Sequence, residues 1–501
     1  METRKPFAKA TPEEVGVSSN LILEYIENLE KSQTEMHGLM IMRHDKMITE
    51  GWWTPYGPNL RHGLQSHTKT YAATAVGIAY TEGLVRLDER LIDIFPDESP
   101  EEPSENLKLL TVRDVLCMGC GMDVMPDPRE KDWIRAFMHV PVNHKPGTTY
   151  MYNSTGSTML GAIVRKKTGL GLHDYLTPRL FNKIGINPDN LRWMCMPDGM
   201  EVGGGGLFAT TEDNFRLMKL YANGGVWEGE RILAEDYVKL AITNQNDSAT
   251  ESINNPEASD NFLGYGFQIW MCKPEHAYRA DGAMGQFTIV LPDLDMEIAI
   301  NETAVGAHWA QSTLNITWDF VEKIRNDAAL PEDPEAYSKL CRKLSRLNIG
   351  NPECQPFSPF VKAVDGKEYT ISSGNFTPFG GNFMIGTLPD SIERFKLDFD
   401  DYGFVWAFVT KSGRTEKIRF STNGVRFSNL IGKKDDLTQL YLGDAYWKEK
   451  NVLVMHGRWA ETCIQDTYTL TFEGNKVSVV ADNNSAWKFG NPAPILGETT
   501  E

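Results

Sequence analysis

The sequence predicts an α+β fold, an antiparallel sheet flanked by helices, followed by an all-β C-terminal domain. Three observations carry this. Hairpin-like pairs of apolar strands lie near residues 45 and 293, with helical patterns between them. A proline-rich stretch without clear periodicity follows, over residues 331–362. Beyond it the apolar period switches to two. Strands at both ends with helices between suit one antiparallel sheet, and short alternating strands suit a sandwich or barrel.

The elements follow in chain order. Residues 18–31 (SSNLILEYIENLEK) read as a capped amphipathic helix. Leu39–Arg43 and Met47–Trp53 flank His44-Asp45-Lys46 as a hairpin. Residues 66–82 read as a helix that Gly83 stops. A second hairpin runs from Thr288–Leu291 to Met296–Asn301 around Pro292-Asp293, and Trp309–Asn326 reads as a long helix. The expected domains are therefore a catalytic domain at 1–330, a linker at 331–362 and a β-sandwich or barrel at 363–501. In the last of these, Phe404, Trp406 and Phe408 share one strand face, as do Tyr468, Leu470 and Phe472.

Composition narrows the function. The chain has 501 residues, 41% hydrophobic and 24% charged, enough apolar content for a sizeable core. Its formal net charge of −18 repels nucleic-acid phosphates and anionic membranes, so no nucleic-acid partner is expected. No apolar run reaches the roughly 18 residues a bilayer span needs. The first residues, METRKPFAKATPEEVGVSS, do not read as a signal peptide, and the seven cysteines are scattered. Reduced thiols in a cytoplasmic protein are the expectation.

The chemistry centres on Ser66-His67-Thr68-Lys69. Residues three apart on a helix share a face, so Ser66 and Lys69 can meet. A serine hydroxyl needs a base to become a nucleophile, and a lysine held neutral by burial can serve. A helix start adds N–H groups suited to a developing oxyanion. Alone, Ser-x-x-Lys is a weak signal, because a capping serine with a surface lysine looks the same.

Five ordered segments strengthen it: LQSHTKTYAATAVGIAYTEGLVRLDERLIDIFPD, LLTVRDVLCMGCGM, HKPGTTYMYNSTGSTMLGAIVRKKTG, GGGGLFATTEDNFRLMKLYANGG and YRADGAMGQFTIVLPDLDMEIAI. From about Met40 to Ile300 they resemble the serine β-lactamase-related family of class C β-lactamases, DD-peptidases, esterases and amidases. The resemblance implies a β-lactamase/transpeptidase-like fold with a helical subdomain. It makes Ser66 the nucleophile and Lys69 its partner. Tyr152-Asn153-Ser154 stands where Tyr-x-Asn is common and is similar to the Tyr-x-Ser variant of nylon-oligomer hydrolases and some esterases. Tyr152 would shuttle protons, with Lys69 lowering its pKa from about 10 or relaying the proton. Ser154 would add a hydroxyl, and Tyr150 is a rival whose spacing does not fit. The third motif departs most: Ala280-Asp281-Gly282 replaces Lys-Thr-Gly or His-x-Gly. The cation that would hold a substrate carboxylate is absent, and Arg279 should face away from residue 280 on a strand. Backbone N–H groups of Ser66 and Ala283 are the expected oxyanion hole.

His67, Gly282 and Gln286 are candidate substrate-binding residues, as are Trp53 and Tyr56, for which core packing is an equal alternative. Cys117-x-x-Cys120 has no second pair, so no metal is expected, and Gly203–Gly206 lacks the Lys-Ser/Thr of a phosphate loop. The expected activity is hydrolysis of an ester or amide of a small molecule or short peptide through an acyl-Ser66 intermediate, with acyl transfer as a variant and no cofactor. The alternatives are a penicillin-recognising β-lactamase or DD-peptidase, or a non-catalytic binding protein on the same fold. The partner expected is the substrate alone, with a homodimer left open.

Overall fold

The computed structural model describes residues 4–500 apart from 33, 128–129, 306–309, 326, 378–389, 433–436 and 485–493. The chain divides into two compact units, Met1–Ala304 with Trp309–Leu347, and Val305–His308 with Asn348–Glu501.

The first unit begins with helix α1 (Ser19–Lys31), which the Ser18 side chain caps by accepting from Asn20 N. Strands β1 (Thr34–Arg43) and β2 (Lys46–Trp52) form the expected hairpin. His44 and Asp45 both adopt positive φ, 50° and 57°, as a primed two-residue turn requires. Strands β3 (Trp270–Met271), β4 (Tyr278–Gly282), β5 (Gln286–Leu291) and β6 (Met296–Ala304) complete the sheet. Its order is β2-β1-β6-β5-β4-β3, antiparallel throughout. The two ends of the unit's sequence thus pair centrally, β1 with β6, which is why strands were legible at both ends.

Between them lie helices α2 (Thr68–Thr81), α3 (Val112–Leu116), α4 (Ser154–Thr168) and α5 (Thr211–Ala222). Every residue of α2 from Thr68 to Ala79 is buried, so it is a central helix covered on all sides rather than an amphipathic one. The expected helix at 66–82 is divided: Gln65–His67 form a 3-10 turn and α2 proper starts at Thr68. Helix α6 (Gln311–Val321) is the core of the helix expected over 309–326, whose two ends lie outside the described residues.

Residues 334–344, expected within a linker, instead form helix α7 (Pro334–Leu344) of the first unit. Proline at the first helical position needs no N–H, and Asp333 caps the helix by accepting from Ala336 N. The helix packs on α1 and buries Leu340.

The second unit holds β7 (Glu368–Ser373), β8 (Ile392–Asp400), β9 (Gly403–Thr410), β10 (Thr415–Ser421), β11 (Phe427–Leu430), β12 (Leu440–Glu449), β13 (Val452–Trp459), β14 (Gln465–Glu473), β15 (Lys476–Asn483) and β16 (Ile495–Glu498). Among the described residues they form one sheet, β10-β9-β8-β7-β16-β15-β14-β13-β12-β11. A bridge from β10 to β12, Ser421 to Asp444, closes it, so the arrangement is a barrel rather than a sandwich. Phe404, Trp406, Phe408, Tyr468, Leu470 and Phe472 all belong to its apolar core.

Candidate active site

Ser66 sits in the 3-10 turn that leads into α2. The preceding Gln65 has φ 51°, a conformation uncommon for a residue with a side chain. One turn on, Lys69 is 2% exposed. Its Nζ lies 3.2 Å from Ser66 Oγ and 3.0 Å from Ser154 Oγ, and it donates to Gly204 O. Burial pushes the Lys69 amine down to about 7, and the Asp281 carboxylate opposes that only in part.

Ser154 opens α4, positioned by Asn153, whose side chain accepts from Gly156 N at 2.7 Å. Helix α4 packs along α2, which brings the second motif to Lys69. The Lys69 Nζ lies 4.8 Å from the centre of the Tyr152 ring, and the Tyr152 phenol lies close enough to interact with the Ser66 side chain. Desolvation raises the Tyr152 phenol above its ordinary 10.0. Of the two roles open to this pair, the amine is therefore the group that reaches its neutral form near neutral pH, and the tyrosine stays a phenol.

Gly204 reaches Lys69 because two glycines let the chain pass between helices. A side chain on Gly203 would meet Ser157 O at 2.6 Å, and one on Gly204 would meet Ser154 O at 2.2 Å. Thr158 Oγ1 fixes the segment, accepting from Gly204 N at 3.0 Å. The four-glycine run thus serves close backbone approach.

The third-motif strand β4 comes equally close. A Cβ on Gly282 would lie 2.0 Å from Leu64 O and 3.1 Å from His67 N, so β4 runs directly beside the Ser66 turn, with buried Ala283 next along the chain. Arg279 and Asp281 share the opposite face and pair, Nε to Oδ2, at 2.8 Å. Arg279 is fully buried, with Nη1 donating to Met271 O at 2.9 Å and Nη2 to Asn261 Oδ1 at 2.6 Å.

Other residues singled out in the sequence lie elsewhere. Trp53 is 2% exposed, and its indole donates to Glu30 on α1 at 3.0 Å. Tyr56 stacks on His37, ring centres 3.7 Å apart, beside a buried hydrogen bond of 2.8 Å between His37 and His62. Both aromatics are core, not substrate wall. Gln286 is buried, donating to Glu302 O at 2.7 Å and accepting from Asn301 at 2.9 Å, so it braces the sheet. His67 is 1% exposed with Nε2 3.0 Å from Thr288 Oγ1, and burial pushes its pKa down to about 4. Each was read as pocket from its closeness to a motif, but packing buries it. Cys117 and Cys120 are buried free thiols. Among the described residues no group of three or more His, Cys, Asp or Glu could hold a metal ion.

Sequence reasoning missed an aromatic cluster. Trp270 stacks on Tyr152 at 5.9 Å and 16°, and Tyr150 and Tyr265 pack against Trp270. Tyr150 is therefore a packing residue, while Tyr152 meets Ser66. Gln268 was missed too: it is buried, accepts from Ser157 Oγ at 2.6 Å and donates to Leu116 O at 2.7 Å, tying α4 to α3. No motif marks these positions. The only signal was the aromatic density of YGFQIWM, which a core strand would also show.

A sheet with a buried central helix that carries Lys69 just after Ser66, faced by Tyr152 from the segment leading into a second helix, brings the serine, lysine and tyrosine of the sequence motifs together. The Beta-lactamase family model matches residues 26–312, more than half of the chain, and the chain belongs to that family. It is 22% identical over 259 residues to the 6-aminohexanoate-dimer hydrolase of Paenarthrobacter ureafaciens, covering 46% of this chain and 64% of that protein. It is 31% identical over 129 residues to penicillin-binding protein 4 of Amycolatopsis lactamdurans, covering 24% of this chain and 34% of that one. The chain thus spans less than two thirds of the length of these curated relatives. The structure of EstCE1, a hydrolase with promiscuous acyltransferase activity, superposes with TM-score 0.50 and 14% identity over 60% of this chain and 99% of that chain, a likeness of fold. No helix among the described residues is long and apolar enough to cross a membrane.

Proposed function

We propose that this hydrolase cleaves an ester or amide bond of a small molecule or short peptide through an acyl-Ser66 intermediate. The observation that carries the reading is the set of partners around Lys69. A neutral amine has two N–H bonds and one lone pair. Gly204 O can only accept, and Ser154 Oγ lies at 3.0 Å to take the second N–H. The lone pair is then left for the proton of Ser66 Oγ, 3.2 Å away. That is the arrangement a general base needs.

In the first half-reaction Ser66 Oγ bonds to the carbonyl carbon while its proton passes to Lys69. The carbonyl oxygen becomes an anion facing the N–H groups of Ser66 and Ala283. As the carbon–heteroatom bond breaks, the Tyr152 hydroxyl gives its proton to the leaving oxygen or nitrogen and is recharged from the Lys69 ammonium. In the second half-reaction water adds to the acyl carbon, its proton returns through the same pair, and Ser66 is released. An alcohol or amine in place of water gives acyl transfer. Penicillin recognition is disfavoured because Arg279 is fully buried and its guanidinium is held by Asp281, Asn261 and Met271.

A fluorophosphonate probe tests the reading. It should label Ser66 alone, and Ser66→Ala should abolish both labelling and turnover. Labelling that survives Ser66→Ala refutes it.

A further inference from the structure

We propose that the leaving-group side of this pocket selects substrates bearing an ammonium, and that Asp281 is the residue that selects them. The inference rests on the acyl-Ser66 reading and adds to it a substrate class.

Four observations support it. First, Asp281 lies on the face of β4 that holds Arg279, and the Arg279 guanidinium lies 5.8 Å from the centre of the Trp270 ring that stacks on Tyr152. Second, Asp281 uses only one carboxylate oxygen in its ion pair: Oδ2 takes Arg279 Nε at 2.8 Å. Oδ1 has no hydrogen-bond partner among the described residues and is not fully enclosed, so its lone pairs remain open to an incoming donor. Third, Arg279 stands behind this carboxylate. It is 0% exposed, whereas Asp281 is 7% exposed, so a ligand meets the anion and not the cation. The guanidinium is spent on Asp281, Asn261 and Met271 O and cannot swing out to a substrate carboxylate. Fourth, the Asp281 charge is felt by both Lys69 and Tyr152. Tyr152, the group proposed to protonate the leaving atom, stacks on the Trp270 ring that Arg279 faces, and this geometry assigns Asp281 to the leaving-group side. Burial moves the Asp281 carboxyl up only to about 6, so it is an anion at neutral pH. The strand therefore presents a negative hydrogen-bond acceptor where a Lys-Thr-Gly strand would present a cation, and its polarity toward ligands is inverted. An ammonium donating to Oδ1 forms a charge-assisted hydrogen bond, the stronger kind.

The test uses the full chain and three phenyl acetates carrying para-aminomethyl, para-ethyl or para-carboxymethyl groups. All three give the same acetyl-Ser66, so differences in kcat/KM report acylation alone. The aminomethyl ester should exceed the ethyl ester by about tenfold or more, the scale of one charge-assisted hydrogen bond, with the carboxymethyl ester slowest. Asp281→Asn should shrink the aminomethyl-to-ethyl ratio to about threefold or less, read as a ratio within the variant so that a general loss cancels. Because that variant leaves a buried guanidinium unpaired and can fail to fold, the unaltered chain gives a second reading. Benzylammonium should inhibit hydrolysis of the ethyl ester at about tenfold lower concentration than phenylacetate does. A carboxymethyl ester turned over as fast as the aminomethyl ester, an unchanged ratio in Asp281→Asn, or equal inhibition by the two ions overturns the proposal. Failure on all three esters together with no labelling of Ser66 overturns the hydrolase mechanism instead.

Discussion

Lys69 is where the proposed chemistry is concentrated, because its burial does two things at once. It lowers the amine to about 7, and it brings the amine within reach of Ser66, Ser154 and Gly204 O. The sign of the pH dependence follows. The lysine acts as a base only when neutral, so kcat/KM should rise as pH increases through about 7 and level off above it. Lys69→Ala should remove that limb and lower activity by roughly 10²-fold or more. Tyr152→Phe should cause a loss of similar size while keeping the limb, since the phenol stays protonated across this range. A pH–rate profile of the three proteins checks this, and a Tyr152→Phe rate near that of the unaltered chain would show that the second motif is misread. At this scale the sequence was legible where residue types and spacing carry the chemistry. Ser66 and Lys69 are one helical turn apart, and Tyr152 and Ser154 flank the residue that caps α4, so local geometry alone brings each pair together. It was not legible where exposure decides the role. Trp53, Tyr56, His67 and Gln286 sit close to the motifs in sequence, but which side of a strand or turn meets the pocket is set by packing from distant segments.

Elements show the same division. The β1–β2 hairpin was readable because His44 and Asp45 fill a turn that tolerates positive φ. Helix α7 was not, because Pro334 reads as a breaker when its neighbours are prolines and acids. In fact it occupies the first helical position, the place proline suits. Its register is held by tertiary contacts. Leu340 is fully buried, Leu347 is 4% exposed, and Leu347 O accepts from Thr54 N at 3.0 Å. Gly51 on β2 has no room for a Cβ because Leu347 and Leu344 cover it at 2.7 and 3.0 Å. A chain ended after residue 347 should therefore be more stable than one ended after residue 330. Two leucines buried at about 1.5–3 kcal/mol each set the scale of the difference. Thermal unfolding of the two shortened chains measures it, and identical midpoints would mean that α7 adds nothing to the first unit.

Across the whole molecule, the switch of apolar period near residue 363 announced a second, all-β unit, but the choice between sandwich and barrel lay beyond any local pattern. Closure depends on the pairing of Ser421 with Asp444, residues on strands that are not neighbours in sequence. The charge of the molecule bears on its substrates as well. A chain with formal net charge −18 and no free cation at Arg279 is poorly built for anionic β-lactams. Loss of the charge-assisted clamp on the β-lactam carboxylate costs on the order of 1.5–3 kcal/mol. At about 1.4 kcal/mol per decade this lowers acylation by roughly one to two decades. A chromogenic cephalosporin should accordingly show a much lower kcat/KM than a short-chain nitrophenyl ester. Comparable values would mean that some other cation reaches the pocket.

The central claim is a covalent acyl group on Ser66, and it can be weighed directly. The protein is mixed with 4-nitrophenyl acetate, quenched in acid within the first turnovers, and read by intact mass followed by peptide mapping. The account predicts a single added acetyl group on the peptide containing Ser66, absent from Ser66→Ala. Ester turnover that persists in Ser66→Ala, or an acetyl group located on any other residue, would contradict it.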